Sequence, residues 1–254
     1  MRGDYRIRLT GYSLETDYCR QYTDNRWDQR VRPLTDGVFA GFDFLWIIEA
    51  MPSRNTVRID MPDSYYHVYA RGINKDAVFL EDEDKEYFLN LLPRHLLKEP
   101  QVSSTGHKYY HARNEAELLA LCIMDNHYHF LFYQLQPSAL SKIMKSITVA
   151  YTAYFNQKYQ HIGPIFAGRF RASLVLDDVY LLHVSRYIHL NPRSWRRYPF
   201  SSLRLIEKGT EPEWLETHRL LEQHPSRKAY IDFVRDYEDY KKSLDQIKHD
   251  LANL

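Results

Sequence analysis

Two short stretches carry side chains whose types and spacing suit chemistry on a phosphate. In "CIMDNHYHFLF", residues 122–132, His127 and His129 occupy alternate positions. In "LLHVSRYIHLNPRSW", residues 181–195, Tyr187 and Asn191 stand four apart and Pro192 follows. Alternate residues of a strand share a face, so the two imidazoles point the same way with Cα atoms roughly 7 Å apart, within reach of one divalent ion. Residues four apart on a helix share a face, so Asn191 lies one turn beyond Tyr187. A phenol has a pKa of about 10 and is a poor nucleophile at neutral pH. It needs a nearby cation or base to become a phenolate. A divalent metal gives part of that help, polarises a scissile phosphate and neutralises developing charge. Two imidazoles leave such a metal under-coordinated, and the Asn191 amide oxygen would add a third ligand at a fixed distance from the tyrosine. Mixed N/O ligation with open positions suits Mg²⁺ or Mn²⁺.

Each signal also has an ordinary reading. His127 and His129 can be surface or core histidines, Tyr187 a core aromatic, and Asn191 a C-terminal cap before Pro192. His183, one turn before Tyr187, could donate to the site from behind. His189 faces elsewhere and reads as structural. Tyr151 and Tyr154 are rival phenols on another helix and read as packing residues.

The elements that would position these groups begin at Ser64. "SYYHVYARG" alternates and is rich in Tyr and Val, so it reads as a strand ending at Gly72. Residues 81–98 open with acids and continue with Tyr87, Phe88, Leu91, Leu92 and Leu96 at helical spacing, with Pro93 as a kink or early end. Residues 116–125 and 127–135 read as strands joined by a tight hairpin at Asp125 and Asn126. Residues 138–159 form a long helix with Ser138 as its cap. "RASLVLD" is a fourth strand, "DVYLLHVSRYIHLN" the tyrosine helix, and Pro192 its stop. The order is β-α-β-β-α-β plus a helix. It predicts an α+β, ferredoxin-like antiparallel sheet with helices on one face, the tyrosine helix, and a helical tail.

Composition narrows the classes. The 254 residues are 44% hydrophobic, which excludes a disordered chain. Net charge is only +1. Residues 163–206, however, hold seven arginines against two aspartates and no lysine. Arginine suits bidentate phosphate contacts and stacking on bases; the plainer reading is a solvated basic face. Two cysteines, Cys19 and Cys122, differ in context and argue against a disulfide scaffold, which fits a reducing compartment. The longest apolar run, "FLWII" at 44–48, is too short to span a bilayer and sits too far along the chain for a signal peptide. A cytoplasmic location is expected. Residues 1–57 contain no lysine and no sustained periodicity. They read as an extension, poorly ordered or independently packed, or as an over-long start with the natural beginning at Met51. The expected division is 1–57, a 58–206 domain, and a charged helical tail over 207–254.

Taken together, the motifs resemble a known family. "MDNHYHFLF" is similar to the HUH motif (histidine, hydrophobic, histidine) of single-tyrosine, IS200-like transposases. "GPIFAGRFRASLVLDDVYLLHVSRYIHLNPRSW", then "YPFSSL", resembles the second half of their REP-associated branch, and "YYHVYARGIN" resembles its first strand. The resemblance covers roughly 58–206, with a looser match at "RKAYIDFV". Asp125 stands where relatives commonly carry proline, and residues 1–57 have no counterpart. The resemblance implies a metal-dependent single-stranded DNA endonuclease and strand transferase acting at hairpin-forming repeats through a 5′-phosphotyrosine. It implies Tyr187 as nucleophile, His127, His129 and Asn191 as ligands of Mg²⁺ or Mn²⁺, and single-stranded hairpin DNA as partner. Arg169, Arg171, Arg193, Arg196 and Arg197 would hold the DNA backbone, and Phe166 and Trp195 could stack unpaired bases. A monomer or a homodimer fits. The alternatives are a catalytically silent hairpin-nucleic-acid binder and another HUH nuclease of the replication-initiator type.

Overall fold

The computed structural model describes residues 60–106 and 108–236. The expected extension over 1–57, the start at Met51, Cys19 and the tail beyond 236 lie outside the described residues.

Four strands form one antiparallel sheet: β1 (Ser64–Arg71), β2 (Ala116–Met124), β3 (His127–Gln134) and β4 (Arg171–Val175). Their order across the sheet is β2-β3-β1-β4, the ferredoxin-like arrangement. Met124 pairs with His127, so Asp125 and Asn126 form the expected two-residue hairpin turn. That turn is held from outside. Gly72 N–H donates to the Asn126 carbonyl, and Val78 and Phe79 N–H groups donate to the Asp125 carbonyl. Lys85 reaches the Asp125 carboxylate at 2.8 Å. Gly72 must lack a side chain, because a Cβ there would lie 2.2 Å from the Asp76 carbonyl oxygen.

Strand alternation divides the side chains between two cores. Tyr66, Val68, Tyr128, Phe130 and Phe132 face α1 (Asp82–Leu89) and α3 (Ala139–Tyr159). The helical stretch over 81–98, expected to kink or end at Pro93, is α1 followed by a separate short α2 (Pro93–Leu96). Pro93 cannot supply a backbone donor mid-helix but fits a first helical turn, so the chain stops at Asn90 and restarts there. Ser138 precedes α3 but does not cap it. Its backbone is left-handed (φ 65°), and its hydroxyl donates to the Asp60 carboxylate at 2.8 Å.

The opposite face carries α4 (Asp178–His189), which presents Leu181, Val184 and Ile188 to Leu119 and Leu131 of the sheet. Asp177 caps it, accepting from Tyr180 N–H at 2.7 Å. After α4 the chain runs along the outer edge of β2. Ile123 N–H donates to the Phe200 carbonyl, and Ser202 N–H to the Leu121 carbonyl. This covers an edge that would otherwise expose unpaired backbone groups. Next come α5 (Leu203–Lys208), α6 (His218–Leu221) and α7 (residues 227–236). Leu220, Tyr230, Ile231 and Val234 join the second core, so the segment 207–236 packs into the molecule. Cys122 is buried as a free thiol. Among the described residues no helix is long and apolar enough to cross a membrane.

Candidate active site

The second face of the sheet brings the chemically capable groups together. On β3, Tyr128 and Phe130 turn into the first core, so His127 and His129 turn toward α4. Neighbouring β1 obeys the same alternation. Tyr69 pairs with His129 and Arg71 with His127, and these side chains and His67 share the histidine face. The apolar stripe of α4 fixes that helix on the sheet, and Tyr187, one position before buried Ile188, falls beside the histidines. The Tyr187 ring lies 5.3 Å from the His129 ring and 6.0 Å from the His67 ring, both edge-on. The helix ends at His189, with Leu190 and not Asn191 as its C-cap. Asn191 therefore does not cap α4; its Oδ1 lies 3.1 Å from His127 Nε2.

Hydrogen bonds settle which imidazole nitrogens face the site. Asn126 donates from Nδ2 to the Lys75 carbonyl at 2.7 Å, which fixes its amide orientation. Its Oδ1 then accepts from His127 Nδ1–H at 2.6 Å. The His127 lone pair is left on Nε2, aimed at Asn191. His129 contacts His67 Nε2 through Nδ1 at 2.8 Å, so its Nε2 is the nitrogen left for the site. Burial pushes the pKa of His67 down to about 4 and also lowers those of His127 and His129. For His129 the neighbouring imidazoles and Arg71 add to the effect. Neutral imidazoles are the form that binds metals.

Among the described residues no group of three or more His, Cys, Asp or Glu side chains is arranged to hold a metal ion. The donor set on offer is instead two imidazole nitrogens and one amide oxygen. His127 Nε2 and Asn191 Oδ1 lie 3.1 Å apart, close enough for one cation to reach both, so the donor set fits such an ion. Tyr187 keeps 38% exposure. Burial of its phenol raises the pKa, while Asn191 and the Arg71 guanidinium lower it. Without further positive charge this phenol is a weaker nucleophile than free tyrosine.

His127, His129 and Tyr187 line a cavity of about 420 Å³ together with Tyr69, Arg71, Arg169 and Arg171. A larger groove of about 1140 Å³ runs along the outer face of α3 and meets this cavity at Ala167, Gly168 and Arg169. Of the five expected arginines, Arg169 and Arg171 line the site. Arg193, Arg196 and Arg197 are exposed just after α4 and do not line it. Trp195 and Phe166 are buried in the two cores, so neither can stack a base; Arg196 lies 4.6 Å over the Trp195 ring. His183 packs toward Phe233 (ring centres 6.3 Å apart) rather than behind Tyr187. His189 is buried in the second core, 3.5 Å from Ser201 Oγ. Tyr151 is buried in the first core, and Tyr154 donates to Asp84 at 3.0 Å.

Four contributors escaped the sequence reading: His67, Tyr69, Arg71 and Asn126. The alternation in "SYYHVYARG" places the first three on one strand face, and ferredoxin-like pairing of β1 with β3 puts that face beside the His-x-His. Asn126 was read only as a turn residue.

Residues 61–191, which are 131 of the 254, match a protein-family model described as "Transposase IS200 like". Among solved structures, one described as "Structure of the REP associates tyrosine transposase bound to a REP hairpin" is similar at 16% identity. That match covers 65% of this chain and 92% of the other, with a TM-score of 0.41. No curated protein matches the chain.

Proposed function

The chain belongs to the IS200-like transposase family, and from that premise we propose that it is a metal-dependent single-stranded DNA endonuclease and strand transferase acting at hairpin-forming repeats. The observation that supports the reading is the convergence of Tyr187, His127 and His129 on one cavity, with the Asn191 amide oxygen 3.1 Å from His127 Nε2. In this reading the Tyr187 oxygen attacks the scissile phosphorus as the bond to the 3′ oxygen breaks. The products are a 5′-phosphotyrosine and a free 3′-OH. The phenolic proton passes to solvent, and the leaving oxygen takes one from solvent.

His127, His129 and Asn191 would hold Mg²⁺ or Mn²⁺. Such an ion, when bound, supplies the positive charge that withdraws electrons from the phosphate and favours phenolate. The protein's own groups do the rest. Arg71 stands near enough to lower the Tyr187 pKa. Arg169 and Arg171 would grip flanking phosphates at the cavity wall, and Arg193, Arg196 and Arg197 would extend that grip past α4. Strand joining is the reverse displacement, with an incoming 3′-OH attacking the phosphotyrosine. With α4 packed on the sheet of its own chain, nucleophile and ligands come from one chain in this reading, which is compatible with a monomer or a homodimer.

The test uses hairpin-bearing single-stranded DNA from the sequence flanking the gene, with Mn²⁺ or Mg²⁺. A covalent protein–DNA adduct resistant to denaturation is expected with the wild type and with Tyr69→Phe. It should be absent with Tyr187→Phe and with chelator. DNA retained without adduct in every metal would leave a binding protein in place of a nuclease.

A further inference from the structure

His67 belongs to neither motif that singled out the site, yet it touches the site's most enclosed ligand. It lies on β1 between Tyr66 and Val68, which face the first core, and so turns to the α4 side. Its side chain is buried at 6% exposure, and its Nε2 is 2.8 Å from His129 Nδ1. The two rings lie 5.0 Å apart and nearly parallel. His129 is equally enclosed, at 6% exposure.

Resting on the reading of this site as metal-dependent, we propose that His67 is a positioning residue. It accepts the His129 Nδ1 proton and so commits the His129 lone pair to Nε2, on the cavity side. A neutral imidazole has one N–H and one lone pair, and the partner of one nitrogen decides the role of the other. Without a partner at Nδ1, the His129 ring is free to take the other tautomer, whose Nε2 carries a proton and cannot bind a cation. Orienters of metal-bound histidines are commonly carboxylates or backbone carbonyls. An imidazole in that place sets the ring just as firmly but adds no negative charge. The full positive charge of the cation is then left for the phosphate and the Tyr187 oxygen. Asn126 stands in the matching position for His127 and is also neutral.

Ring-nitrogen NMR of the wild type without metal reads the arrangement directly. His129 protonated at Nδ1 and His67 bare at Nε2 are expected; His129 protonated at Nε2 overturns the proposal. Mn²⁺ titration without DNA then compares wild type, His127→Ala, His67→Leu and His67→Gln, with thermal unfolding as the check on fold. Loss of an orienting partner typically weakens metal affinity about 10- to 100-fold. That loss is expected for His67→Leu, with substantial recovery in His67→Gln, whose amide oxygen can accept the same proton. A folded His67→Leu with wild-type affinity contradicts the role of His67 while leaving the site reading standing. Wild type and His127→Ala binding Mn²⁺ equally would remove the metal site, and this role of His67 with it. If His67→Leu fails to fold, the NMR tautomer and His67→Gln still decide.

Discussion

The two faces of the sheet are built by one alternation and serve opposite ends. The face under α1 and α3 is a stack of large aromatic groups, with Phe88, Tyr128 and Phe130 about 5–6 Å apart. The Asp84 carboxylate, deeply buried on this face, is fully occupied. Asp84 accepts from the Leu80 and Glu81 backbone, from Tyr154 and Tyr159, and from Lys158. The face under α4 carries three histidines whose pKa values burial lowers, two phenols, and Arg71, Arg169 and Arg171 about a cavity. Buried polar groups cost stability unless paired. The first face surrounds the Asp84 carboxylate with five donors, while the second leaves Nε2 of His127 and of His129 on the cavity side. A strand can therefore spend one side on rigidity and the other on reactivity, and the rigid side is what holds the reactive one to register.

The comparison breaks most sharply at Tyr187. Tyr187→Phe should reduce the covalent adduct to background while changing unfolding free energy by no more than about 0.5 kcal/mol, as a partly exposed position predicts. Phe130→Ala on the other face should do the reverse. A buried aromatic lost from the core costs about 3–5 kcal/mol, measurable by denaturant titration, and activity should persist wherever the protein remains folded. If Phe130→Ala left stability unchanged, the division of labour between the faces would fail.

Acid should damage the histidine face first. His67 and His189 are held neutral by burial, with pKa values lowered to about 4 and about 3. In the unfolded chain each titrates near 6.5. The unfolded state therefore takes up more protons as the pH drops below about 6.5, and the stability present above that pH is lost progressively toward pH 4. Each group contributes as much as roughly 1.4 kcal/mol per pH unit inside the window. Denaturant midpoints at pH 7.5, 6 and 5 should fall in that order; a flat series would mean these histidines are not held neutral. The smallest effects belong to the cavity wall. Arg169→Ala and Arg171→Ala should each weaken hairpin binding at all sequences and lower the salt slope by about 1, seen in anisotropy titrations across salt concentrations.

Much of this was legible from residue order because short-range periods decide it. His127 and His129 share a face by the period of a strand, and Tyr187 sits over them because the Leu181, Val184, Ile188 stripe of α4 must lie on the sheet. What stayed hidden depends on contacts distant in sequence. His67 is 62 residues from His129, and only strand pairing joins them. Ser138 looked like a cap, but Asp60, 78 residues away, takes its hydroxyl. Trp195 looked available to DNA, but the second core buries it. The break in residues 81–98 was legible too, because Pro93 lacks the backbone donor a helix interior needs, and the helix restarts there.

The most direct test of the central claim is to locate the DNA on the protein. Trypsin cuts after Arg186 and Arg193, releasing residues 187–193, "YIHLNPR", in which Tyr187 is the sole tyrosine. Tyr69 falls in a separate peptide ending at Arg71, with Tyr65 and Tyr66. After trapping the adduct, trimming the DNA with nuclease and digesting, mass spectrometry should find the added nucleotide mass on peptide 187–193. Nucleotide mass on the peptide ending at Arg71 would contradict the assignment of Tyr187 and move the nucleophile to β1.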